Sequence, residues 1–278
     1  MSTRAEALNR LFRDDDPSTV GLVKKELVRQ GEEVLGDLRE LLGADSGIVA
    51  AHAQEVLQEI AGKKASASLE SMIAGGGDLD WEEVSILVST ALMPWVEQED
   101  LRARLDDWGA MLKTRLDRQE SDRIATLTAL MHGELGFTGN GDDYYNHENS
   151  ILASVMENRK GNPLVLSLLY RFVGKRAGLL IEGVNLPGHF IARCGDMFFD
   201  PFHDGRILDL ADCADILARQ GRELSDEHLE PPGSREVVAR MLANLSHAYS
   251  LEEFHWQKRM VDRWLGLITG AERADDED

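Results

Sequence analysis

Cysteine is scarce in this chain, with only Cys194 and Cys213 in 278 residues. Their spacing matches neither a zinc site nor a disulfide framework, so a reducing compartment is expected. Long apolar runs are missing as well. No segment approaches the roughly 18 consecutive apolar residues that a membrane span requires, and residues 1–10 lack the charged start and apolar stretch of a leader. A cytoplasmic location follows as the expectation. Positive charge is the third shortage, because 30 Lys and Arg against 50 Asp and Glu leave a formal net charge of -20. No segment concentrates the basic residues, so neither nucleic acid nor an anionic membrane is expected as a partner.

What is present is ordinary for a globular protein: 43% hydrophobic and 29% charged residues. The length exceeds what one compact core usually holds, and two or three structural units are expected. Residues 1–135 read as a helical array, with HEAT-like stacking as one arrangement. Asp16 and Pro17 supply an N-cap and a favoured first helical residue, and Val20, Val23 and Leu27 mark one apolar face. Further helices are expected over 32–42, ending at Gly43, and over 48–60, ending at Gly62. The glycines 75–77 form a joint, followed by a helix through Trp81 and Val88, then helices over 99–116 and 122–135. Trp95 and Trp108 fall at helical spacing among Leu and Met and are assigned to the core.

The stretch 136–143 is polar and rich in glycine, and it lacks the lysine and hydroxyl of a phosphate-cradling loop. Beyond it, a helix over 151–157 stops at Asn158-Arg159-Lys160-Gly161-Asn162-Pro163. Pro163 suits the first turn of a new helix, since the amide proton it lacks would have no intrahelical partner. That helix, 163–177, is apolar nearly all round and should be buried, with Gly178 at its end. Two strands follow, from His189 to Cys194 and from Met197 to Phe202, joined by a Gly195-Asp196 turn. This register places Cys194 opposite Met197 and Arg193 opposite Phe198, and puts His189 and Asp200 on one face as diagonal neighbours.

A buried helix whose N-terminus abuts a hairpin carrying a His–Asp pair is the layout of a thiol enzyme. The helix end stabilises a thiolate, the histidine exchanges its proton and the carboxylate orients the histidine. Here no cysteine, serine or threonine opens the helix before Ser167, one turn further along. A cation site from His189, Asp200 and His203 lacks any dedicated ligand spacing, so neither a metal nor a cofactor is expected. His203 and Asp204 read as the start of an Asp204-Gly205 turn.

The motifs Asp143-Tyr144-Tyr145, Asn149-Ser150, 159–163, 183–190 and Asp200-Pro201-Phe202 resemble those of the transglutaminase-like proteins of the bacterial SirB type. The resemblance covers about a quarter of the chain. It implies a transglutaminase or papain-like domain with Pro163 in the place of the catalytic cysteine, and His189 and Asp200 in those of the histidine and aspartate. Pro231-Pro232-Gly233 then leads into two helices, the first with Ser234 as N-cap. Residues 239–245 look like part of the tetratricopeptide-type pair that often ends such chains.

The fold class expected is α+β and mainly helical: a helical array over 1–135, a transglutaminase-like domain with a small antiparallel sheet over 136–230, a helical pair over 231–270 and a disordered acidic tail over 271–278. The expected function is a pseudoenzyme that binds a peptide, protein or small ligand, with Arg159, Asn162 and His189 as binding residues. The alternatives are a hydrolase or acyltransferase using the His189–Asp200 pair, and a purely structural helical scaffold. A protein or peptide partner is expected.

Overall fold

The computed structural model describes residues 2–44, 47–118 and 122–270. The expected acidic tail over 271–278 lies outside them. The fold is α+β and mainly helical, with a small four-stranded antiparallel sheet. The helices are α1 (Thr3–Leu11), α2 (Pro17–Gln30), α3 (Leu35–Ala44), α4 (Ile48–Ala74), α5 (Trp81–Leu92), α6 (Gln98–Leu116), α7 (Arg123–Thr128), α8 (Leu152–Asn158), α9 (Pro163–Arg176), α10 (Leu210–Ala218), α11 (Ser234–Leu251) and α12 (His255–Thr269). The strands are β1 (Thr138–Gly139), β2 (Lys160–Gly161), β3 (Glu182–Val184), β4 (Ile191–Cys194), β5 (Met197–Asp200) and β6 (Arg206–Leu208).

The chain packs as two compact units. One comprises residues 1–68 with 90–97, and the other 69–89 with 98–278. These units are discontinuous and cut across the sequence segments divided at 135 and 230. In the first, Asp16 caps α2 by accepting from the Ser18 amide, and Val20, Leu27 and Val28 join Phe12, Leu38, Leu41, Val49 and Val56 in one core. The helix expected to stop at Gly62 instead runs on to Ala74. Gly62 serves a close approach, because a Cβ there would lie 3.1 Å from the carbonyl oxygen of Ala91. Trp95 is 56% exposed, contrary to its expected place in the core. It follows Pro94, just beyond the end of α5, where the helical spacing no longer applies.

In the second unit α9 is the central element. Pro163 opens it, Asn162 caps it by accepting from the Val165 amide, and its residues from Pro163 to Tyr170 are all buried. The chain leaves it through Gly178 at φ 80°, a backbone shape that glycine adopts without strain. Gly109 lets α6 come against α9, since a Cβ there would fall 2.3 Å from the Cβ of Arg176. Arg176 closes the contact from the other side through paired bonds to Glu82, 2.7 Å each, and one of 2.6 Å to Asp106.

Strands β3 to β6 form an antiparallel meander, with Cys194 opposite Met197, Arg193 opposite Phe198 and Ala192 opposite Phe199. The expected hairpin register is therefore the observed one. Val184, Leu186 and Ile191 pack with Leu208, Cys213 and Leu217, so α10 covers part of the sheet. The strand expected to run to Phe202 ends at Asp200, where Pro201 begins a three-residue 3-10 turn. Strands β1 and β2 pair in parallel and tie the glycine-rich stretch to the entry of α9. Ser234 is the first residue of α11 rather than its cap. Its hydroxyl donates to Asp78 at 3.0 Å and accepts from the Leu79 amide.

Candidate functional site

The loop before β4 positions His189. The His189 amide donates to the carbonyl of Leu186 at 3.0 Å, closing a turn through Pro187 and Gly188, and Gly188 holds φ 76°. That turn is fixed from α11. The Arg240 guanidinium donates to the Leu186 carbonyl at 2.9 Å and to the Asn185 side chain, and stacks over Phe190. Burial lowers the Arg240 pKa from its ordinary value, partly offset by Tyr144 and Glu236, but a guanidinium remains charged at neutral pH.

Asp200 sits at the end of β5 and is 2% exposed. Its Oδ1 accepts from the amides of Phe202 and His203, and its Oδ2 accepts from His189 Nε2 at 2.7 Å and from His203 Nδ1 at 2.7 Å. Burial alone would push this carboxyl up. The hydrogen bonds and charge of the two histidines outweigh it and hold the pKa below the ordinary value. Sequence reasoning placed His189 with Asp200 but left His203 to a turn. The missed signal was the order Asp200-Pro201, an N-cap followed by proline at the first position, which curls the chain and returns His203 to its own cap.

The pair lies beside an open cleft of about 1230 Å³. Tyr144, Tyr145 and Phe202 supply its aromatic surface, with ring centroids 5.2 and 5.9 Å apart in edge-on pairs. Phe202 in turn meets the His189 ring at 6.0 Å. Tyr144 and Tyr145 belong to a motif recognised in the sequence, where no role was given to them.

The other expected site residues are committed elsewhere. Asn162 is buried, capping α9 through its oxygen and donating to Ser150 Oγ at 2.8 Å through its amide. Arg159 stacks over Trp108 and Phe137, its Cζ 5.0 and 4.7 Å from the ring centroids. Neither residue lines the cleft. Asn162 has both amide groups engaged in the cap and the Ser150 bond, whereas the stacked Arg159 guanidinium keeps its Nη1 buried with no hydrogen-bond partner among the described residues. Pro163 is buried at the start of α9, and Ser167 is buried with its hydroxyl 3.4 Å from the Phe190 carbonyl. Cys213 is buried and Cys194 half-buried, and burial pushes both thiols above the ordinary value. Neither thiol has the depressed pKa that marks a reactive thiolate.

Residues 99–243 match the sequence pattern of the Transglutaminase-like superfamily. A UPF0162 protein of Xylella fastidiosa is 32% identical over 213 residues, covering 69% of this chain and 75% of its own. One from Vibrio cholerae is 25% identical over 144 residues, covering 49% and 53%. Human F-box only protein 21 is 28% identical over 138 residues, 45% of this chain and 22% of that protein. No solved structure matches. The chain belongs to the transglutaminase-like superfamily and, within it, to the UPF0162 proteins.

Proposed function

We propose that this protein is a transglutaminase-like pseudoenzyme, of the SirB type, that binds an extended peptide segment in the cleft beside His189 without processing it. The observation that carries this reading is a His189–Asp200 contact of 2.7 Å preserved at an open cleft while Pro163, with no nucleophilic group, opens the neighbouring helix. An acyl-transfer enzyme needs a nucleophile within reach of its base. The cleft offers what a peptide requires: aromatic surface from Tyr144, Tyr145 and Phe202, and polar side chains from Gln220 and Asn244 to meet a backbone.

Selection of a random peptide library on the full chain tests this proposal. Peptides that bind the wild type should lose at least about tenfold in affinity, some 1.4 kcal/mol, on Tyr145→Ala, a substitution at a 56% exposed position that leaves the fold intact. Alkylation of half-buried Cys194 under native conditions should leave that affinity unchanged. Peptides whose affinity ignores Tyr145→Ala and His189→Ala would overturn the assignment of the cleft.

A further inference from the structure

Asp200 gathers two imidazoles on one oxygen atom. His189 Nε2, Asp200 Oδ2 and His203 Nδ1 lie within 4.8 Å of one another, and each nitrogen is 2.7 Å from the oxygen. The carboxylate is also held from behind. Its Oδ1 is taken by two backbone amides, so Oδ2 is the atom it presents, and hydrogen bonding of a ligating carboxylate through its other oxygen is a regular feature of metal sites. From this arrangement we propose that His189, Asp200 and His203 form a binding site for a divalent transition-metal ion of the zinc class. The proposal stands independently of peptide binding, and it reverses the expectation of no metal drawn from sequence spacing.

Two imidazole nitrogens and one carboxylate oxygen are a ligand set that suits zinc and its neighbours, and hard cations such as magnesium much less. In a zinc tetrahedron the edges between ligand atoms are roughly 3.3 Å, given bond lengths of about 2.0–2.1 Å. The 2.7 Å contacts must therefore open by about 0.6 Å. His203 can supply that movement: its side chain is 62% exposed and it ends a short turn, whereas the side chains of Asp200 and His189 are 3% and 12% exposed. The ion takes the place of the N–H protons that otherwise join the three groups, so no further contact has to be broken. Three protein ligands leave a fourth position of the tetrahedron open on the cleft side, where a water molecule or a carboxylate of a bound molecule would complete it.

Sequence spacing could not indicate this site. His189 and His203 come from either side of a hairpin and reach Asp200 only because its register and the 3-10 turn after it bring them there.

Cobalt(II) titrated into the chelator-stripped full chain is the test, read by visible absorption. The expected result is one equivalent bound, with the absorption intensity of a four-coordinate ion, no thiolate charge-transfer band, and displacement by zinc. His203→Ala should weaken binding by at least about tenfold, because loss of even an outer-shell partner costs 10–100-fold in affinity. His228→Ala, a cleft residue outside the cluster, should leave binding unchanged. Asp200→Asn should abolish binding, but it also removes a buried contact, so exposed His203 is the deciding position. Absence of saturable binding at micromolar cobalt, a thiolate band, or a wild-type affinity in His203→Ala would each overturn the proposal.

Discussion

Asp200 is buried yet ionised, and four hydrogen bonds make that combination stable. Removing its charge leaves two imidazoles facing a neutral amide, and loss of a buried partner typically costs about 1–3 kcal/mol. Asp200→Asn should therefore unfold at lower denaturant at neutral pH. The pH dependence has a definite sign. Because the folded pKa lies below the ordinary carboxylate value, the ionised form contributes stability that is present above the unfolded pKa and lost as pH falls through the folded one. The gap between wild type and Asp200→Asn should narrow in urea titrations carried below the ordinary aspartate value of about 3.9. A gap that widens in acid would show that the folded pKa lies above the unfolded one, contrary to the hydrogen-bonded carboxylate described. At the same scale, His189 and Asp200 were legible in the sequence because a two-residue turn fixes the hairpin register. The surroundings of Arg159 and Asn162 were not, since a motif gives no sign of whether a polar side chain caps a helix or lies over aromatic rings.

Among the elements, α9 was read well: Asn162-Pro163 at its start, apolar residues on every face and Gly178 beyond its end are local signals that agree with its packing. Glycines inside helices were harder. Gly62 reads as a stop and acts as a contact, because a missing Cβ serves both purposes and only the packed neighbour tells them apart. The same ambiguity gives a paired prediction. Gly109→Ala puts a methyl group 2.3 Å from Arg176 Cβ, so α6 and α9 must separate, and overpacking of this kind costs about 1–3 kcal/mol. Gly21→Ala, inside α2 with nothing within 4 Å of the added carbon, should instead stabilise by about 0.5–1 kcal/mol. Thermal melts of the two variants should move in opposite directions, and a Gly109→Ala melt at or above wild type would contradict the close approach of the helices.

Across the whole molecule the balance of charge and the choice of fold act together. A formal charge of -20 should keep the protein off phosphate-rich surfaces, so no retention is expected on duplex DNA or on anionic vesicles at about 0.1 M salt, where the screening length is near 10 Å. Retention of either kind at that salt would indicate a basic face the charge distribution does not reveal. No helix among the described residues is long and apolar enough to cross a membrane. Binding without catalysis is the role proposed for the cleft beside His189. It is tested most directly by saturating the full chain with a cleft-binding, glutamine-containing peptide and an amine, and weighing the recovered peptide by mass spectrometry. The expected product is a peptide of unchanged mass, neither cleaved, deamidated nor joined to the amine. A modified peptide whose formation disappears on His189→Ala would contradict it and make the His189–Asp200 pair part of a working active site.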